Sequence, residues 1–246
     1  MPRLYYDLHL HSCLSPCGDE DMTPNNIVNM ALLLGYDIIA LTDHNSCLNV
    51  AAAVRVGERV GLTVVPGMEL CTNEEAHVIC LFPTAADAMG FHSFVAAHSM
   101  NMRNDAQIFG RQIIMDAQDC VIGEEPNLLI SATQISVNEV LAVAQRFHGT
   151  AFPAHVDKGS YSVIASLGAI PQEAGFFAVE ISRNGNMQKL CQTNKELNGK
   201  ILLCNSDAHY LENMPEPRAW IDLPQNTPEC LISVLNGETK TSWSSE

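Results

Sequence analysis

Leu4-Tyr5-Tyr6-Asp7-Leu8-His9-Leu10-His11-Ser12 is a strand-like apolar run that ends in two histidines. Side chains of a strand alternate between its faces, so His9 and His11, two residues apart, share a face where the strand Tyr5 to Leu10 gives out. The same construction recurs along the chain. Asp43-His44 follows Ile38-Ile39-Ala40-Leu41-Thr42, Glu69 follows Val64-Val65-Pro66-Gly67, His155 follows Ala151-Phe152-Pro153-Ala154, and Asp207 and His209 follow Leu202-Leu203-Cys204-Asn205. Polar groups at the C-terminal ends of strands occupy the face where α/β barrels and open α/β sheets place their active sites. His77 begins a strand instead of ending one, and a hairpin through the turn-like Thr72-Asn73-Glu74-Glu75 brings it back to the same rim. Imidazole and carboxylate groups gathered from distant parts of a chain are the ligands that Zn²⁺, Mn²⁺ or Fe²⁺ prefer.

The expected strands are Tyr5 to Leu10, Ile38 to Thr42, Thr63 to Pro66, His77 to Phe82, Thr150 to Ala154, Ala178 to Ile181 and Ile201 to Asn205. Between them, Thr23 caps a helix over Pro24 to Leu34 that Gly35 closes, and Ser46 is a candidate cap for Leu48 to Val60, which ends at Gly61. Later helices are expected over Val137 to Phe147 and Met187 to Leu197. Strands alternating with helices predict an α/β fold, and seven strands suffice to close a barrel. Phe91 to Gln118 is helix-rich in composition, so a helical insertion over the rim is expected at about residues 91–135. At 246 residues and 47% hydrophobic content, one domain over 1–246 is the natural reading.

A formal charge of −15 argues against a general nucleic-acid binder, because phosphate backbones are held by surplus Lys and Arg. Nine cysteines without CxxC spacing read as reduced thiols, with Cys80 and Cys204 inside apolar runs. No apolar stretch is long enough to cross a bilayer, and the N-terminus reads into a strand rather than a signal peptide, so the expected location is the cytoplasm.

The ordered motifs Asp7-Leu-His9-Leu-His11-Ser12, Thr42-Asp43-His44, Pro66-Gly67-Met68-Glu69, Ala154-His155 and Ser206-Asp207-Ala208-His209 resemble those of the PHP (polymerase and histidinol phosphatase) family of metal-dependent phosphoesterases. The resemblance implies a distorted TIM-like (β/α)7 barrel with two or three divalent metal ions, Mn, Fe or Zn. It implies that His9, His11, Glu69 and Asp207 hold one metal, that Glu69 bridges to a second held by His77 and His155, and that Asp19, His44 and His209 hold a third. Asp19 is selected by aligning back from Thr23-Pro24. Glu20 and Asp21 compete with it, and Cys13 or Cys17 could approach the site. Asp43 and Asp7 are expected to orient ligands rather than bind metal.

The chemistry that follows is hydrolysis of a small phosphorylated metabolite or nucleotide, monoester or diester, by water activated at the metals. His44 and His209 are the candidate proton donors, and Arg103, Lys158 and Arg183 the candidate phosphate contacts. Histidinol-phosphate hydrolysis is the nearest enzymatic alternative, and a non-catalytic metal- or ligand-binding module is the alternative of another class. The expected partner is a small phosphorylated substrate, with no long nucleic acid and no membrane. Oligomeric state is left open.

Overall fold

The computed structural model describes residues 1–245. Its strands are β1 (Arg3–Leu10), β2 (Ile38–Leu41), β3 (Thr63–Cys71), β4 (His77–Leu81), β5 (Ile113–Met115), β6 (Val121–Glu124), β7 (Thr150–Pro153), β8 (Ala178–Ser182), β9 (Ile201–Asn205), β10 (Trp220–Asp222) and β11 (Trp243–Ser244). The helices are α1 (Pro24–Leu34), α2 (Val50–Val60), α3 (Ala85–Ala97), α4 (Ala106–Phe109), α5 (Val137–Gln145), α6 (Val163–Leu167), α7 (Met187–Thr193) and α8 (Pro228–Leu235).

One mixed sheet runs β11-β10-β1-β2-β3-β4-β7, and β8 and β9 form a separate parallel pair. That pair lies across the gap between β7 and β1 and partially closes the barrel: the Val156 N–H donates to the Glu180 carbonyl beyond β7, and the Asp207 and His11 N–H groups bond across β9 and β1 to His9 O and Ala208 O. The result is a distorted TIM-like barrel. The seven strands expected from sequence are β1, β2, β3, β4, β7, β8 and β9. β4 runs antiparallel to both β3 and β7, and Cys71 faces His77 across the hairpin.

Strand parity sorts the barrel interior into two layers. Val65, Ile79, Leu81, Phe152, Ala178, Ile201 and Leu203 meet in one buried cluster with Tyr6 and Leu8, closed from below by Leu231 and Val234 of α8. Continuing each inward-facing row by two residues toward the rim gives Glu69 via Gly67, His77 before Ile79, Glu180 after Ala178 and Asn205 after Leu203. The barrel is therefore apolar at its base and polar at its top. Gly67 is required by space: an added Cβ would sit 2.7 Å from Thr42 Cγ2 and 2.9 Å from Leu81 Cδ2.

The outer layer follows from the caps and apolar faces. Thr23 accepts from the Asn26 N–H and Gly35 closes α1 at φ 92°, as its sequence signals require. Ile27, Val28 and Ala31 of α1 then pack with Val56 of α2 against Ile39 and Val64. α2 starts at Val50 without a side-chain cap, two residues after the expected start. Around the rim, residues beyond α3 fold into the short α4 and an antiparallel β5–β6 hairpin instead of continuous helix. Ile113 and Met115 are held there by packing on Cys13, a long-range contact that overrides the helix-forming composition.

Candidate metal centre

Glu69 sits on the inward face of β3, 1% exposed, with five imidazoles around its carboxylate. Its Oε1 lies 2.8 Å from His77 Nδ1, 3.2 Å from His9 Nε2 and 3.2 Å from His155 Nε2. Its Oε2 lies 2.9 Å from His44 Nδ1 and 3.3 Å from His11 Nε2. Asp207 Oδ1 is 3.3 Å from both His9 Nε2 and His11 Nε2. Three groups are compact enough to hold an ion: His9, His11, Glu69 and Asp207; His44, Glu69 and His77; and His11, His44 and His209.

These donors fit metal ions better than they fit one another. His44 Nδ1 and Glu69 Oε2 are both buried and, although 2.9 Å apart, are not aligned for a hydrogen bond. His9 Nε2 and His11 Nε2 face each other at 3.0 Å. His9 Nδ1 is engaged by Glu180 at 3.0 Å, and His11 Nδ1 by Ser15 Oγ at 3.0 Å. Since Ser15 Oγ donates to Asp43 Oδ1 at 2.7 Å, it receives the His11 proton. Both Nε2 lone pairs then point into one space, an arrangement that only a shared cation or proton relieves.

The electrostatics agree. Burial opposes charge on Glu69, yet His77, His9 and His44 hold its carboxyl well below the usual range. Burial likewise opposes ionised Asp207, and the His9 charge and a His11 hydrogen bond overcome it. Burial alone would lower His11, but Asp207 and Glu69 raise it to about 9, and His44 is raised to about 9 against burial chiefly by Glu69. His209 is pushed down to about 3 by burial and by His11, whose ring it stacks on at 4.0 Å. Its Nδ1–H donates to the Asp207 carbonyl at 2.9 Å, which turns Nε2 toward the cavity.

Glu180 on β8 is the organising residue that the sequence reading missed. It accepts from His9 Nδ1, from the His155 backbone N–H at 3.0 Å and from Asn205 Nδ2 at 2.7 Å. Asn205 Oδ1 in turn accepts the Leu8 N–H at 2.8 Å, so one carboxylate ties β7, β8, β9 and β1 together behind the ligands. The available signal was a lone acid inside the apolar strand Ala178–Ser182. Asp43 and Asp7 take the orienting places expected of them. Asp43 accepts from Ser12 and Ser15, and Asp7 accepts the His9 and Ser206 N–H groups, with burial raising its carboxyl to about 6.

Eight of the nine expected ligands converge: His9, His11, His44, Glu69, His77, His155, Asp207 and His209. Asp19 stands apart. Its carboxylate caps the Asp21 N–H at 2.8 Å, while Cys17, two residues earlier, lines the cavity beside His44. Of the expected phosphate contacts, Lys158 is at the site, with Nζ 2.5 Å from Asp207 Oδ2. Arg183 lines a different cavity with Tyr6, Asp7 and Arg218, and Arg103 lies exposed on the rim segment, bridged to Asn127. The remaining histidines, His92, His98 and His148, lie outside the cluster. His98 donates to Phe94 O within α3 and His148 pairs with Asp87 at the surface.

The ligand cluster at the rim of a distorted barrel is able to coordinate two or three divalent metal ions, as the sites of metal-dependent phosphoesterases do. The chain belongs to the PHP domain family, whose model matches residues 7–152. It is 34% identical over 74 residues to a 5′-3′ exoribonuclease of Haemophilus influenzae, a match covering 30% of this chain and 26% of that protein. In fold it is similar to the lesion-specific endonuclease Q of Pyrococcus furiosus, with a TM-score of 0.73 at 17% identity, over 98% of this chain and 58% of that one. It is also similar to an endonuclease Q complex with a 27-mer duplex substrate carrying an abasic lesion at the active site, with a TM-score of 0.71 at 17% identity and the same coverage. The expectation that long nucleic acid is excluded is corrected by that complex, in which a protein of similar fold is bound to a DNA duplex. Net charge misled because it sums the whole surface, whereas a phosphate group meets the local field, in which bound divalent cations are the largest charges. No helix among the described residues is long and apolar enough to cross a membrane.

Proposed function

We propose that residues 1–246 form a single PHP-type unit, with a rim insertion at about 91–135, that hydrolyses phosphate esters at this centre in the cytoplasm. The observation that carries the reading is Glu69, a buried carboxylate shared by five imidazoles, which has the geometry of a bridging ligand. Divalent metals held here would lower the pKa of water and neutralise phosphoryl charge. We assign His9, His11, Glu69 and Asp207 to one metal and Glu69, His77 and His155 to a second.

His44 and His209 have two alternative duties, since a nitrogen that ligates a metal has no proton to give. In a two-metal form they are the proton-handling pair at the leaving group. In a three-metal form they are ligands, together with Asp19 if its carboxylate turns inward, and Lys158 is the remaining charged donor facing the cavity. In both forms Lys158 contacts the phosphate, because its ammonium already lies against Asp207 on the cavity wall. Arg103 and Arg183 would contact only parts of a substrate that extend beyond this cavity.

Turnover of an aryl phosphate monoester and diester by protein loaded with Mn²⁺, Fe²⁺ or Zn²⁺ tests the reading. Hydrolysis that disappears with a chelator and returns with metal supports it. Full metal occupancy without hydrolysis of either ester would leave a non-catalytic metal-binding module.

A further inference from the structure

The hydrolytic chemistry does not use Tyr161, yet the fold holds it at considerable cost. Its φ is 53°, in the left-handed region where side chains other than glycine are strained. Its carbonyl accepts the His77 N–H at 3.0 Å, and its ring lies on the His77 ring with centroids 4.9 Å apart and planes 27° from parallel. The same short loop is pinned by the Lys158 N–H to His155 O at 2.9 Å and by Ser162 Oγ to Lys158 O at 2.7 Å. Despite these anchors, Tyr161 remains 51% exposed and lines the mouth of the roughly 300 Å³ cavity that contains Glu69, Lys158 and Asp207.

We propose that Tyr161 is a stacking platform for a nucleobase, so that the esters taken by this site are nucleotides or the ends of polynucleotide strands. This names a substrate class for the phosphoesterase reading and rests on it. A rigid, half-exposed ring beside a phosphate site presents a π-face to whatever the phosphate carries, and every nucleobase offers a matching face. Among the described lining residues Tyr161 is the sole phenolic or phenyl ring, and Ile130 is the main aliphatic companion.

The test is equilibrium binding to Mn²⁺-loaded wild type, Tyr161→Ala and Tyr161→Phe, with metal content measured on each. The probes are adenosine 5′-monophosphate, base-free ribose 5-phosphate and a short single-stranded oligonucleotide. Tyr161→Ala is expected to weaken the nucleotide roughly 5- to 150-fold, the loss of one base–aromatic stack, and to leave ribose 5-phosphate unchanged. Tyr161→Phe keeps the ring and the affinity. Parallel weakening of the oligonucleotide identifies strand ends as ligands of the same platform, and weakening confined to the mononucleotide identifies free nucleotides. Equal losses for nucleotide and ribose 5-phosphate, or a wild type that binds the two alike, overturns the inference. Aryl phosphate turnover by the same preparations is scored separately, so loss of the phosphoesterase reading is distinguishable from loss of the platform.

Discussion

Replacing Glu180 by Gln keeps the shape of the side chain and alters only which hydrogen bonds it can make. The carboxylate now accepts from three buried donors, His9 Nδ1, the His155 N–H and Asn205 Nδ2. An amide offers one oxygen, and its NH₂ must face at least one of these donors. Oε1 serves the His155 N–H and Oε2 serves Asn205, whose Oδ1 already receives the Leu8 N–H, so either placement of the amide sets its NH₂ against one of these two donors and disturbs the seat of His9, which contacts both oxygens. The neutral amide also removes the negative charge that holds the His9 proton on Nδ1, and so weakens the preference that leaves Nε2, the nitrogen facing Glu69, Asp207 and His11, free to ligate. Loss of such a supporting partner costs roughly 10- to 100-fold in metal affinity, or about 1.4–2.7 kcal/mol. Glu180→Ala is the harsher control, since three buried donors lose their acceptor at roughly 1–3 kcal/mol each and the fold itself weakens. The assay is competition of wild type and Glu180→Gln against a chelating dye for Mn²⁺ or Zn²⁺, with a melting curve on each metal-free protein. A Glu180→Gln protein that binds metal as tightly as wild type would refute the tautomer argument.

Three further outcomes follow from the same geometry. His11 and His44 are raised from near 6.5 to about 9 in the metal-free chain, so the stability they contribute is fully present below about pH 6.5 and is lost as pH rises toward 9. Melting temperature of the metal-free protein should therefore fall across that window, while metal affinity, which requires unprotonated imidazole, should rise; a melting temperature that climbs between those pH values contradicts the assignment. Gly67→Ala would press a methyl group to 2.7 Å from Thr42 and 3.1 Å from Cys80 O, and such overpacking should cost about 1–3 kcal/mol in denaturant unfolding. Lys158→Ala should raise the KM for a phosphate ester roughly tenfold or more by removing a charge-assisted hydrogen bond, yet leave metal content intact because it frees Asp207. Metal loss in that variant would show that Lys158 supports the ligands instead of the substrate.

The strands were readable from sequence because each is a short apolar run bounded by cap or turn residues, and their polar ends lie on one rim because all the barrel strands except β4 run in the same direction. His77 needed the hairpin, which the turn-like Thr72–Glu75 segment announced. Less legible was the turn of β1. Strict alternation would put Leu8 and His9 on opposite faces, but the pairing with β2 shifts register between Asp7 and Leu10, and Leu8 stays in the barrel interior while His9 also reaches inward to Glu180. A bulge of this kind is set by pairing with another strand and leaves no local signature. Glu180 escaped notice because it stands alone inside an apolar strand rather than at the strand's polar end. The segment between His11 and Thr23 was ambiguous for a related reason. Several acids follow one another there, and the chain path that puts Cys17 on the cavity and turns the Asp19 carboxylate to the Asp21 N–H depends on turns between Ser12, Ser15 and Gly18.

Metal content per chain, measured by mass spectrometry on wild type and Glu69→Gln after reconstitution and removal of loose metal, tests the central claim most directly. The account predicts two or three ions in the wild type and loss of at least one in Glu69→Gln, because the shared carboxylate can no longer join adjacent sites. Fewer than two ions in the wild type, or an unchanged count in Glu69→Gln, would contradict it.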